Sequence, residues 1–183
     1  MAFIRENREV LDDFGFISVV RDSVVEDASE TFFERICIAH IGAVAVVPIL
    51  EDGNIVLIKQ YRSSINDLSL EAVAGRRDVS GEDLIDCAKR ELIEEIAVAA
   101  DEVIELGWIH TSPGFTDEKI FMFLAKNAKF IENNIPDGVE EELAERIVVS
   151  LEQAIEWTYD GTIRDGKTIV NLHLAKKYLA QSL

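Results

Sequence analysis

The chain is poor in cysteine. Cys37 and Cys87 are its only two, they lie far apart, and neither has a CxxC partner, so zinc binding and a disulfide framework are both unexpected. No apolar run approaches the length of a membrane span. Met1-Ala2-Phe3-Ile4-Arg5-Glu6 lacks the basic and then apolar regions of a signal peptide, which makes a cytoplasmic location the expectation. Positive charge is also scarce, with 18 basic against 35 acidic residues and a net charge of −17. Such a chain repels nucleic-acid backbones and anionic membranes, so neither is an expected partner. An anionic substrate would be repelled too, unless metal ions intervene.

What is present suits a folded domain. The chain has 183 residues and 48% of them are apolar, enough to bury a core and to exclude disorder. Phe16–Val20 and Thr31–His40 are rich in β-branched and aromatic residues and read as strands. Ala43–Val47 is a continuous apolar run, as in a strand buried on both faces, and Pro48 marks its expected end. Glu51-Asp52-Gly53-Asn54 is a hairpin signal, after which Ile55–Tyr61 returns as a strand. Ser80–Ile96 is the clearest helix, with Ser80 as the expected cap and Leu84, Ile85, Ala88, Leu92 and Ile96 as its apolar stripe. Val103–His110, Ile120–Ala125 and Ile147–Ser150 read as strands. Ser150 caps a helix that stops near Gly161, and a last helix runs from about Lys167 to Leu179. Strands first and flanking helices later imply an α+β or α/β chain.

On the first helix, Arg90-Glu91 is followed by Glu94-Glu95. Glu91 and Glu95 stand four residues apart, one above the other, and Glu94 lies beside them. Most acidic runs are solvated helix faces. Here the neighbouring positions are apolar, and no lysine stands at i+4 to relieve the repulsion. Two carboxylates ~4 Å apart repel by about 4 kcal/mol at an effective dielectric near 20. A divalent cation removes that cost, and Mg²⁺ prefers a few carboxylates, waters and phosphates.

Glu82, Arg90, Glu91, Leu92, Glu94, Glu95 and Val98 resemble the Nudix box at its own spacing. Three positions depart from it. The box glycine falls at Arg76 and the nearest glycine is Gly75, so the loop carries one extra residue. Ala97 replaces the second glycine, and Val73 replaces the usual proline. Lys59-Gln60-Tyr61-Arg62, Glu71-Ala72-Val73-Ala74-Gly75 and Ser112-Pro113-Gly114 resemble the ADP-ribose pyrophosphatase branch, with Pro113 sixteen residues after Ala97.

The resemblance implies an α/β/α sandwich with a mixed sheet over residues 41–183, preceded by N-terminal antiparallel strands over 1–40 that serve dimerisation. It implies two or three Mg²⁺ ions, with Mn²⁺ as a substitute, held by Glu91, Glu94, Glu95 and the Ala74 carbonyl. Arg90 would orient the glutamates and Glu82 would brace the loop. Arg62, Glu71, Pro113 and Gly114 would meet the substrate, and Glu142 or, second, Glu145 would be the general base. The implied reaction is hydrolysis of a nucleoside diphosphate sugar by a homodimer, foremost ADP-ribose to AMP and ribose 5-phosphate. GDP-mannose or another nucleotide sugar is one alternative, and an ADP-ribose sensor that does not cut is another. His40, His110, His173, Trp108 and Trp157 read as ordinary polar or packing residues, Phe32 and Phe33 as core, and Gly166-Lys167-Thr168 as a helix start.

Overall fold

The computed structural model describes residues 3–27, 31–131 and 144–181. The chain divides into two units, Met1–Gly42 with His110–Lys119, and Ala43–Ile109 with Ile120–Leu183.

In the first unit, β1 (Phe3–Asp13), β2 (Ile17–Glu26) and β3 (Thr31–His40) form an antiparallel sheet in that order. Gly15, at φ 82°, makes the β1–β2 turn. Asp22 is buried in this sheet, and Arg8 forks onto it with Nε and Nη2, both at 2.7 Å. The Nη1 of Arg8 reaches Asp117 at 2.6 Å, and Asp117 accepts the His40 N–H at 2.9 Å. Ile38 N–H donates to the Phe115 carbonyl at 2.7 Å. These bonds group the His110–Lys119 loop with the N-terminal strands. Phe3, Ile4, Val10, Phe14, Phe32 and Ile36 leave large apolar side chains exposed here.

The second unit is built on β4 (Ala43–Leu50), β5 (Asn54–Arg62), β6 (Asp67–Glu71), β7 (Val73–Arg76), α1 (Leu84–Ile96), β8 (Val98–His110), β9 (Lys119–Phe130), β10 (Glu145–Ser150), α2 (Leu151–Asp160) and α3 (Gly166–Gln181). The sheet order is β10-β5-β4-β9-β8, with β6 on β5 and β7 on β4. β4 pairs parallel with β9, while β5, β6, β7 and β10 join antiparallel, so the sheet is mixed. Val44, Val46, Val56, Ile58 and Val73 face Ala88, Leu92 and Ile96 of α1. Val47, Ile55 and Leu57 face the other way, against Leu151, Ala154, Ile155 and Leu172 of α2 and α3. Helices therefore cover both faces, which is why β4 reads as an unbroken apolar run. This is the expected α/β/α sandwich. No helix among the described residues is long and apolar enough to cross a membrane.

Two local expectations are corrected. Pro48 does not end β4, which continues to Leu50. The strand passes the proline with a register shift between Pro48 and Leu50, the bulge that a residue without an N–H requires. Ser80 does not cap α1. Ser80 and Gly81 form a turn with Gly81 at φ 79°, and Asp83 caps instead, accepting the Ile85 N–H at 2.8 Å. Ser150 and Gly161 bound α2 as expected.

Ala97 ends α1 in the left-handed conformation, φ 53° and ψ 47°, with its N–H on the Ile93 carbonyl. That geometry costs alanine about 1 kcal/mol relative to glycine. Ala97→Gly is therefore expected to stabilise the protein by about 1 kcal/mol in denaturant unfolding, despite the more flexible unfolded chain. An unchanged or lower midpoint would show that the strain is relieved elsewhere.

Candidate active site

α1 lays its acidic face against β7, because its apolar stripe must cover Val44, Val46 and Val73. Arg90 is the hub of that face. Its Nε and Nη2 bind Glu82 at 3.0 and 3.1 Å, and Nη2 also reaches the Arg76 carbonyl at 3.2 Å. Its Nη1 bridges Glu91 at 2.6 Å and Glu94 at 2.8 Å. One guanidinium thus ties the loop before α1 to two helix glutamates. With the extra residue between Gly75 and Glu82 in place, Arg90 still holds Glu82.

Glu91 is buried, and desolvation raises its pKa against the pull of Arg90. Gly75 explains how it fits. A Cβ built there would stand 1.7 Å from the Glu91 Cδ. Among the described residues, no cation bonds to Glu95. Its Oε2 accepts the Ala74 N–H at 3.3 Å. Burial first, and the charge of Glu91 second, push Glu95 up to about 8. Cys87, buried beside Arg90, is pushed up to about 12 by burial and then by Glu82, so its thiol is inert at neutral pH.

A second cluster adjoins the first. Glu71, at the end of β6, accepts Arg62 Nε at 2.9 Å and Nη2 at 2.7 Å, and it pairs with Lys167 at the start of α3. Burial alone would raise Glu71, but Arg62 and Lys167 outweigh it and hold it down at about 2. Arg62 and Lys167 both act electrostatically on Glu95.

The fold therefore brings together Ala74, Arg90, Glu91, Glu94 and Glu95, with Arg62 and Lys167 in electrostatic reach of Glu95 and Glu71 bonded to both of those cations. Arg90 occupies Glu91 and Glu94, and among the described residues no three His, Cys, Asp or Glu side chains converge as a ready cation cage. Pro113 and Gly114 belong to the other unit, in a turn closed by Phe115 N–H on the Ser112 carbonyl at 3.0 Å. Glu145 is exposed on β10 and sits 4.0 Å from Lys59 of β5. Glu142 lies outside the described residues. Lys167 and Gly75 were not foreseen as site residues. Lys167 had a sufficient local reading as a helix start, and only its partner 96 residues away reveals it.

The sequence model described as NUDIX domain matches residues 39–172. The chain belongs to the Nudix family. It is 31% identical over 166 residues, 89% of each chain, to "ADP-ribose pyrophosphatase" of Bacillus subtilis (strain 168). It is 32% identical over 143 residues, 74% of this chain and 70% of the relative, to "GDP-mannose pyrophosphatase" of Yersinia pestis (strain Pestoides F). It is 35% identical over 138 residues, 75% and 73%, to "Methanol dehydrogenase activator" of Bacillus methanolicus. A solved "ADP compounds hydrolase" shares the fold, with a TM-score of 0.79 at 18% identity, covering 100% of this chain and 96% of that one. This Nudix hydrolase thus has curated relatives named for two different nucleotide sugars.

Proposed function

We propose that this Nudix hydrolase uses Mg²⁺ to cut the diphosphate of a nucleoside diphosphate sugar, with ADP-ribose as substrate and AMP and ribose 5-phosphate as products. The observation that carries this is the pair Glu91 and Glu95, two desolvated carboxylates packed against Gly75 and Ala74 with pKa values raised. A buried carboxylate either takes up a proton or is offset by a cation; Arg90 meets Glu91, and Glu95 is left for a metal ion to meet. The donors are all oxygens, which suits a hard divalent ion, and Gly75 leaves the space the Glu91 carboxylate needs. Glu91, Glu94, Glu95 and the Ala74 carbonyl would hold two or three Mg²⁺ ions, with Mn²⁺ as a substitute. Bound there, the metal neutralises phosphate charge and acidifies a water.

The chain's own residues do the rest. Arg90 restrains Glu91, Glu94 and the loop through Glu82. Arg62, gripped on one edge by Glu71, presents its other edge to an anion. The water's proton goes to Glu142, with Glu145 as the second choice. The resemblance also assigns Pro113 and Gly114 to substrate contact. The exposed aromatic and aliphatic side chains of β1–β3 fit a homodimer face.

The test is phosphate release, coupled through a phosphatase, from ADP-ribose, GDP-mannose and ADP-glucose in parallel with Mg²⁺. Turnover of ADP-ribose, lost about 10²-fold or more in Glu142→Gln and retained in Glu145→Gln, supports the reading and its base. The GDP-mannose relative favours a second specificity, and a preference for that sugar keeps the chemistry and moves the substrate. Tight ADP-ribose binding without turnover would replace the hydrolase reading with a sensor.

A further inference from the structure

Glu71 is buried, yet it serves two cations at once. Arg62 grips it with a fork, and Lys167 closes on the Oε2 that already takes the arginine's Nη2. Lys167 is itself fixed. Its Nζ stands 2.9 Å from Asp165, and Asp165 accepts the Thr168 N–H at 3.0 Å in the first turn of α3. Thr168 in turn accepts the Ala72 N–H at 2.7 Å, one residue past Glu71. The four charges of Arg62, Glu71, Lys167 and Asp165 cancel. Lys167 is largely enclosed, with a side-chain exposure of 12%, whereas Arg62 is exposed by 37%. The Nη1 of Arg62 makes no hydrogen bond among the described residues. The guanidinium is therefore held along one edge and offers the other outward, within electrostatic reach of Glu95.

We infer that Lys167 is a positioning residue for substrate: by pinning Glu71 it holds Arg62 with its free edge turned to the diphosphate. This rests on the diphosphate-hydrolase reading above. Without Lys167 the buried carboxylate keeps one cationic partner. It then either turns after other donors or takes up a proton, and in both cases it yields an acceptor that fixes the arginine. Asp165 has the corresponding task toward Lys167. Neither residue needs to touch the substrate.

The experiment compares Lys167→Met, Lys167→Arg, Arg62→Met and the double variant Arg62→Met/Lys167→Met by steady-state kinetics on ADP-ribose with Mg²⁺. Lys167→Met is expected to raise KM about 10-fold with kcat within about 3-fold, the signature of lost substrate binding. Lys167→Arg is expected to recover most of that loss, because a guanidinium can also bridge Glu71 and Asp165. The double variant is expected to be no worse than Arg62→Met alone, because both changes remove one interaction. An unchanged KM in Lys167→Met overturns the inference, as do losses that simply add in the double variant. A drop in thermal stability with unchanged KM would mark Lys167 as a helix anchor only. If the wild type turns over no nucleotide sugar, the parent reading fails on its own account. Calorimetry with inorganic pyrophosphate then decides: equal weakening in Arg62→Met, Lys167→Met and the double variant retains the Arg62–Lys167 coupling, and unchanged affinity in Lys167→Met removes it.

Discussion

Glu95→Gln is expected to abolish turnover, by about 10³-fold or more, while making the metal-free protein more stable at alkaline pH. The two effects have one cause. Glu95 is desolvated, lies near the charge of Glu91, and is pushed up to about 8. In the unfolded chain it titrates at the ordinary glutamate value near 4.5. Between those values the folded protein holds a proton that the unfolded chain releases, so folding stability falls as pH rises from about 4.5 to about 8. Glutamine keeps the shape and removes the charge, and so removes that slope. Divalent metal supplies the missing positive charge to the wild type and should raise its thermal midpoint most at pH 9, above the raised value of about 8, where little proton competes. The variant should gain little from metal. Thermal unfolding at pH 5, 7 and 9, with and without Mg²⁺, beside the turnover assay, reads all of this. A Glu95→Gln protein that keeps a tenth of wild-type activity, or that shows the same metal-dependent midpoint as wild type, would remove Glu95 from the site.

The acidic helix was legible because its logic is local. Arg90, Glu91, Glu94 and Glu95 lie within two turns, and their spacing alone puts them on one side of the Leu92–Ile96 stripe. Ala43–Val47 was legible for a similar reason, since a strand covered on both faces cannot alternate. What the sequence concealed depends on partners far along the chain. Lys167 looks like the opening of a helix until Glu71 is seen against it. Asp117 looks like a loop residue until Arg8, 109 positions away, takes hold of it. The misplaced cap has a different origin. Ser80 and Asp83 are both good caps, and the choice fell to the turn at Gly81, whose left-handed φ stops the helix from starting earlier. Pro48 misled because a proline in a buried strand is usually a stop, whereas here a bulge carries the strand past it.

Gly75→Ala is the sharpest probe of how the site is packed. The φ of Gly75 is one that any residue can adopt, so its requirement is space, not backbone freedom. An added methyl would meet the Glu91 carboxylate at 1.7 Å from Cδ and at 2.0 and 2.1 Å from its oxygens. A flexible surface glutamate would swing away at little cost. Glu91 has less freedom, because it is buried and Arg90 holds its Oε1 at 2.6 Å. The methyl must therefore displace the carboxylate, pull on Arg90, and through it on Glu82 and Glu94. Overpacking of this kind costs about 1–3 kcal/mol of stability. The expected loss of kcat/KM is larger, about 10²-fold or more, because displacement of about 1 Å is ruinous at a reacting centre. Glu91→Ala separates the two effects. In that background Gly75→Ala should cost little stability, since the clash is gone, while activity stays lost because the carboxylate is gone too. Denaturant unfolding of the four proteins gives the coupling between the two positions. Additive stability losses would mean that the methyl collides with something other than Glu91. Near-normal turnover in Gly75→Ala would mean that the extra loop residue has freed β7 from the site, and that the role of the box glycine has passed elsewhere.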